Sequence, residues 1–138
     1  MAAVGTKINT VDVTFNSGVV NDVTDKMVKG LEACIKSDVA EGETLLSINF
    51  SSIKDSHDGV VSNHNYGRAV DINQINGIRV AVGYPQGGTI TKIVKAIQDA
   101  FEGFADKREN FGPYFIKKEG KNWTAADHSD HIHLSVNL

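Results

Sequence analysis

The chain has 138 residues, 41% of them hydrophobic and 22% charged, a balance that fits one soluble globular domain and excludes a disordered chain. Fourteen Lys and Arg against 17 Asp and Glu leave a net charge of −3, with no electrostatic footprint for nucleic acid and no polybasic membrane patch. The lone cysteine, Cys34, excludes an intrachain disulfide framework and a cysteine-based structural zinc site.

No stretch approaches the ~18 apolar residues of a membrane span, so membrane insertion is not expected. The first residues lack a basic segment followed by an apolar one, so no signal peptide is visible. The expectation is a protein made in the cytoplasm. Nothing in the pattern suggests repeats or linkers, and residues 1–138 are expected to form a single domain.

In chain order, residues 7–15 alternate, with Val11, Val13 and Phe15 on one side, and predict a strand closed by the turn Asn16-Ser17-Gly18. This strand makes residues 1–20 a possible N-terminal extension. Residues 22–38 predict a helix in which Val23, Met27, Leu31 and Cys34 or Ile35 recur at helical spacing. Asn21 or Asp22 serves as cap, and Gly30 weakens the middle. Cys34 falls on the apolar helix face and is expected to be a buried, inert thiol.

Residues 44–53 predict a strand with Leu46, Ile48 and Phe50 on one face, followed by a polar loop over 54–63. Residues 69–75 and 78–82 predict two strands joined at Asn76-Gly77, a favoured hairpin pair. A loop over 83–88 leads to the strongest helix, residues 90–104, with the stripe Ile90, Ile93, Val94, Ile97, Phe101 and Phe104 and with Thr89 or Thr91 as cap. Residues 113–117 and 131–136 predict the last strands. The order implies an α+β fold, a mostly antiparallel sheet with helices packed on one face.

The chemistry lies in the five histidines, all within residues 57–64 and 128–133, both windows rich in Asp. Imidazole and carboxylate together suit zinc. In the first window Val70 and Ile72 alternate with Asp71, so the apolar pair enters the core while Asp71 faces the other way. Gly67 permits a tight turn, and His64 and Asp71 can then converge. In the second window Ile132, Leu134 and Val136 face the core, so His131 and His133 share the opposite face. Three protein ligands would leave a fourth position open, the pattern of a catalytic zinc. His57 beside Asp58 and His128 read either as further site residues or as solvated loop groups. Trp123 reads either as groove lining or as core, and Tyr66 either as a substrate contact or as a ring stacked on a neighbouring loop.

The first window, Ser62-Asn63-His64-Asn65-Tyr66-Gly67-Arg68-Ala69-Val70-Asp71, fits Ser-x-His-x-x-Gly-x-Ala-x-Asp, and the second ends in His131-Ile132-His133. Together they resemble the zinc peptidases grouped with D-alanyl-D-alanine carboxypeptidases, lysostaphin-type endopeptidases and the hedgehog signalling domain. The similarity covers about residues 44–138. It implies His64, Asp71 and His133 as zinc ligands, and His131 as an assistant to catalysis. For the general base it offers two positions, Asp130 as in the carboxypeptidase branch and Asp127 as in the hedgehog branch; both branches carry Glu there.

Carboxypeptidase relatives carry an Arg shortly after the central strand, to clamp the substrate carboxylate. Here that stretch has only Lys54, which lacks a bidentate fork. The resemblance therefore implies a zinc-dependent peptidoglycan peptidase, expected to be an endopeptidase on stem or cross-link peptides, and the residue types of Trp123, Tyr66 and His57 make them the substrate-binding candidates. The second reading is a catalytically inactive, hedgehog-like zinc-binding module that binds a partner or a glycan. A cell-wall enzyme made in the cytoplasm would need lysis, packaging or injection to reach its substrate, so a phage or secretion particle is an expected partner.

Overall fold

The computed structural model describes residues 2–53 and 66–138. The strands are β1 (Lys7–Ile8), β2 (Val11–Phe15), β3 (Ser47–Ser52), β4 (Ala69–Ile75), β5 (Ile78–Arg79), β6 (Lys107–Phe111), β7 (Ile116–Lys118), β8 (Lys121–Asn122) and β9 (Ile132–Val136). The helices are α1 (Asp25–Cys34), the single turn α2 (Val80–Gly83) and α3 (Thr89–Glu102). The strands form one sheet in the order β1-β2-β3-β4-β9-β6-β7-β8, with β5 paired to β4. Among the described residues only β2 and β3 run parallel, joined through α1, and the other pairs are antiparallel. The fold is α+β, as the element order implied.

The expected period-2 patterns are the ones the sheet buries, except at Leu46, which precedes β3 and is 62% exposed. Val11, Val13, Ile48, Phe50, Val70, Ile72, Ile132, Leu134 and Val136 join Met27 and Leu31 of α1 and Ile93, Val94, Ile97 and Phe101 of α3 in one core. Asn76 and Gly77 both adopt positive φ, 53° and 76°, the conformation a two-residue hairpin turn requires. Asn76 adds a second fixture, because its Oδ1 accepts from the Leu46 and Ser47 amides at 2.7 and 3.2 Å.

Several boundaries differ from the sequence expectation, each for a tertiary reason. Helix α1 begins at Asp25 with Thr24 as its cap, the hydroxyl accepting from the Met27 amide at 3.2 Å. Asn21, an expected cap, instead exchanges hydrogen bonds of 2.7 and 2.6 Å with the Val4 amide and carbonyl and ties down the N-terminal segment. Gly30 is the point where the helices meet. A Cβ there would lie 3.1 Å from the Phe101 ring and 3.2 Å from the Phe104 ring.

Helix α3 starts after Gly88 without a side-chain cap; Thr91 instead donates to the Tyr84 carbonyl at 2.5 Å. The strand expected over 78–82 ends at Arg79 and turns into α2, because Val80 is drawn into the core. The strand expected over 113–117 is displaced to Ile116–Lys118, and β6 and β8 were not anticipated. Cys34 is fully buried, and burial pushes its thiol up to about 12. The polar loop over 54–63 lies outside the described residues. No helix among the described residues is long and apolar enough to cross a membrane.

Candidate metal centre

The site stands on the sheet face opposite the helices, where β4, β9 and β6 lie side by side. Alternation along β4 sends Val70 and Ile72 into the core and Asp71 to the other face. Alternation along β9 does the same for Ile132, Leu134 and His133. Antiparallel pairing then sets Asp71 directly opposite His133, and His133 directly opposite Phe111 of β6. Directly opposed residues share a face, so the three side chains form a row.

Within that row Asp71 Oδ1 lies 2.8 Å from His133 Nδ1. The far nitrogen, His133 Nε2, lies 3.0 Å from Glu109 Oε1. Phe111 stacks on the His133 ring, with centroids 5.5 Å apart and planes at 25°. His128 stands edge-on to both, 5.6 Å from the His133 ring and 5.1 Å from Phe111. His131 approaches from the strand's entry. Its Nε2 lies 3.8 Å from Asp71 Oδ1, and its Nδ1 donates to Asp130 Oδ1 at 2.7 Å.

Three side chains singled out in the sequence therefore converge on one point: Asp71, His131 and His133. Asp130 joins them through His131, and His128 packs beside them.

Electrostatics follow from that crowding. Burial pushes the His133 imidazole toward its neutral form, but the hydrogen bonds and charges of Asp71 and Glu109 outweigh it and raise the pKa to about 9. Without a metal, His133 is thus a buried imidazolium clamped between two carboxylates. His128 is shifted down, by burial first and then by the neighbouring His131 and His133. The hydrogen bond from His131 holds Asp130 below the usual carboxylate range.

The remaining sequence candidates lie further out. Asp127 is exposed, holds a left-handed φ of 63°, and lines an open cleft of about 260 Å³ with Gly112, Pro113, Ile116, His128 and Ser129. Trp123 is 54% exposed, which rules out its reading as a core residue. It follows β8, and the Lys118 ammonium sits 4.8 Å over its ring. Its amide binds the Ile116 carbonyl, and the β7–β8 register sets it opposite Ile116, itself opposite Phe111. Trp123 therefore continues the row, three strand spacings or about 14 Å from His133. Tyr66 is half-exposed, with the Arg68 guanidinium 4.8 Å over its ring. His57, His64 and Lys54 lie outside the described residues.

Glu109 escaped the sequence reading. It sits in Lys107-Arg108-Glu109-Asn110-Phe111, a stretch too polar to look like an inner strand. Its one signal was Phe111, an apolar residue two positions on.

Two described donors fit zinc. Tetrahedral bonds of about 2.0–2.1 Å separate neighbouring donors by about 3.3 Å, so the 2.8 Å between Asp71 and His133 needs to open by only about half an ångström. Among the described residues no group of three His, Cys, Asp or Glu side chains is arranged to hold a metal ion; the third ligand that the resemblance implies, His64, lies outside them.

Comparison of the chain with protein-family models, with curated proteins and with solved structures gives no match.

Proposed function

We propose that the chain is a zinc-dependent peptidase acting on peptidoglycan peptides, with His64, Asp71 and His133 as metal ligands. The observation that carries the reading is the register of β4 against β9. It brings Asp71 and His133, residues 62 positions apart, to 2.8 Å, with His131 on the same face within 3.8 Å. Bound there, zinc would supply a polarised scissile carbonyl and a water acidic enough to lose a proton near neutral pH.

The protein's own groups supply the rest. Asp130, ionised, accepts the Nδ1–H of His131 and fixes that ring with Nε2 turned toward Asp71. With its Nδ1–H given to Asp130, His131 presents Nε2 as the acceptor for the proton of the attacking water. The resulting Nε2–H donates to the tetrahedral oxygen or hands its proton to the leaving amine. Asp127, on the cleft rim, is the alternative base. The row from His133 through Phe111 and Ile116 to Trp123 supports an endopeptidase, because a subsite about 14 Å from the reacting bond suits an extended peptide rather than a chain terminus.

A zinc-holding binding module is the second reading. One observation favours it: Asp130, where the resemblance places a carboxylate base, is committed to His131 and held below the usual carboxylate range. Metal analysis of the purified chain, followed by digestion of intact cell walls and mass spectrometry of the products, tests both. About one zinc per chain and cleaved stem or cross-link peptides are expected. Zinc without cleavage points to the binding module, and a chain that takes up no zinc refutes both readings.

A further inference from the structure

We propose that Glu109 is the positioning residue that aims His133 at the metal, an inference that rests on the zinc reading above. The two imidazole nitrogens lie on opposite edges of the ring. A carboxylate at Nε2 therefore cannot share an ion with Asp71 at Nδ1. With a metal bound, Glu109 Oε1, 3.0 Å from Nε2, would keep the Nε2–H and leave Nδ1 to offer its lone pair on the side of Asp71. A carboxylate behind a metal-bound histidine sets its tautomer and raises its basicity as a ligand.

Glu109 is itself held. The Ser135 hydroxyl donates to Oε1 at 2.7 Å and accepts the Glu109 amide N–H at 3.0 Å, so backbone and side chain are pinned by one group on β9. The register shift between Lys107 and Asn110 lies at this point in the β6–β9 pairing. Phe111, two residues on, fixes the plane of the same ring that Glu109 fixes in azimuth. A carboxylate placed only to neutralise a buried imidazolium would need neither the Ser135 hydroxyl nor a defined approach to Nε2.

The test uses the full chain, stripped with chelator and titrated with zinc against a chromophoric competitor at pH 7, alongside thermal unfolding of the stripped protein. Glu109→Gln keeps the shape and an acceptor oxygen but loses the charge. It is expected to unfold within a few degrees of the unsubstituted chain yet bind zinc about 10- to 100-fold more weakly. Glu109→Ala is expected to bind more weakly still, and Ser135→Ala to lose a few-fold. If Glu109→Ala fails to fold, the isosteric Gln variant carries the test. Zinc affinity in Glu109→Gln within twofold of the unsubstituted chain overturns the positioning role and leaves the metal reading standing. Absence of zinc binding by the unsubstituted chain overturns both.

Discussion

Replacing Gly112 with alanine places a methyl group where the fold has none to spare. A Cβ at that position would lie 2.4 Å from Oε1, 2.7 Å from Cδ and 2.9 Å from Nε2 of Gln98. The first of these is about an ångström inside the ~3.5 Å at which nonbonded heavy atoms are content. Gln98 cannot swing away cheaply, because it is fully buried and its amide is engaged at both ends. Nε2 donates to Asn110 Oδ1 at 3.2 Å and to the Phe115 carbonyl at 3.0 Å, while Oε1 accepts from the Tyr114 amide at 3.2 Å. Overpacking costs ~1–3 kcal/mol, and each of these buried bonds is worth about 1 kcal/mol. Loss of one or two bonds with moderate strain gives a destabilisation of about 3 kcal/mol. In urea that lowers the unfolding midpoint by about 1.5 M at an m-value of ~2 kcal/mol/M. The double variant Gly112→Ala/Gln98→Ala removes the clash, and its cost is expected to fall short of the summed single costs by more than ~1 kcal/mol. Because Asn110 and Gly112 flank Phe111, zinc affinity should fall with stability. A Gly112→Ala midpoint within 0.3 M of the unsubstituted chain, roughly 0.6 kcal/mol by the same m-value, would show that the Gln98 network yields freely and would refute the reasoning.

His133→Ala is expected to lose most of the bound zinc; full metal content by elemental analysis would remove His133 from the ligand set. In the metal-free chain, His133 has a folded pKa of about 9 against 6.5 unfolded, so it stabilises the fold fully below pH 6.5. That contribution, about 3 kcal/mol, is lost as pH rises through 9, and a flat urea midpoint between pH 6 and 9.5 in chelator contradicts it. His131→Ala should keep its zinc and lose at least ~10²-fold in turnover, with Asp130→Asn losing less; equal, undiminished rates in both refute their proposed roles. Trp123→Ala should raise KM for long peptides with little change in kcat, and an unchanged KM would remove the outer subsite.

Strand alternation, the hairpin turn and the stripe on α3 were legible in the sequence, whereas both helix caps, the strand over 78–82 and the burial of Leu46 were not. Alternation in Val70-Asp71-Ile72 and in Ile132-His133-Leu134 decides which side chain leaves the core, since a strand has only two faces. Asn76-Gly77 turns a hairpin because both residues tolerate positive φ. The stripe on α3 buries as a stripe because helical geometry leaves it no alternative. What sequence alone could not decide was pairing at a distance. Nothing local says that residue 71 opposes residue 133, or that a polar run from Lys107 to Phe111 is an inner strand. Glu109, Asn110 and Gln98 look like surface residues until their partners arrive from elsewhere in the chain. Glu109 is taken up by His133 and Ser135, and Asn110 by Gln98 and Glu102. Buried polar groups are tolerable only with partners, and those partners are set by the register of whole strands rather than by neighbouring residues. The helix start moved for the same reason, because Asn21 is worth more to Val4 across the fold than to the helix beside it. Local chemistry thus determined which residues face the site, and the tertiary pairing alone decided what each of them touches there.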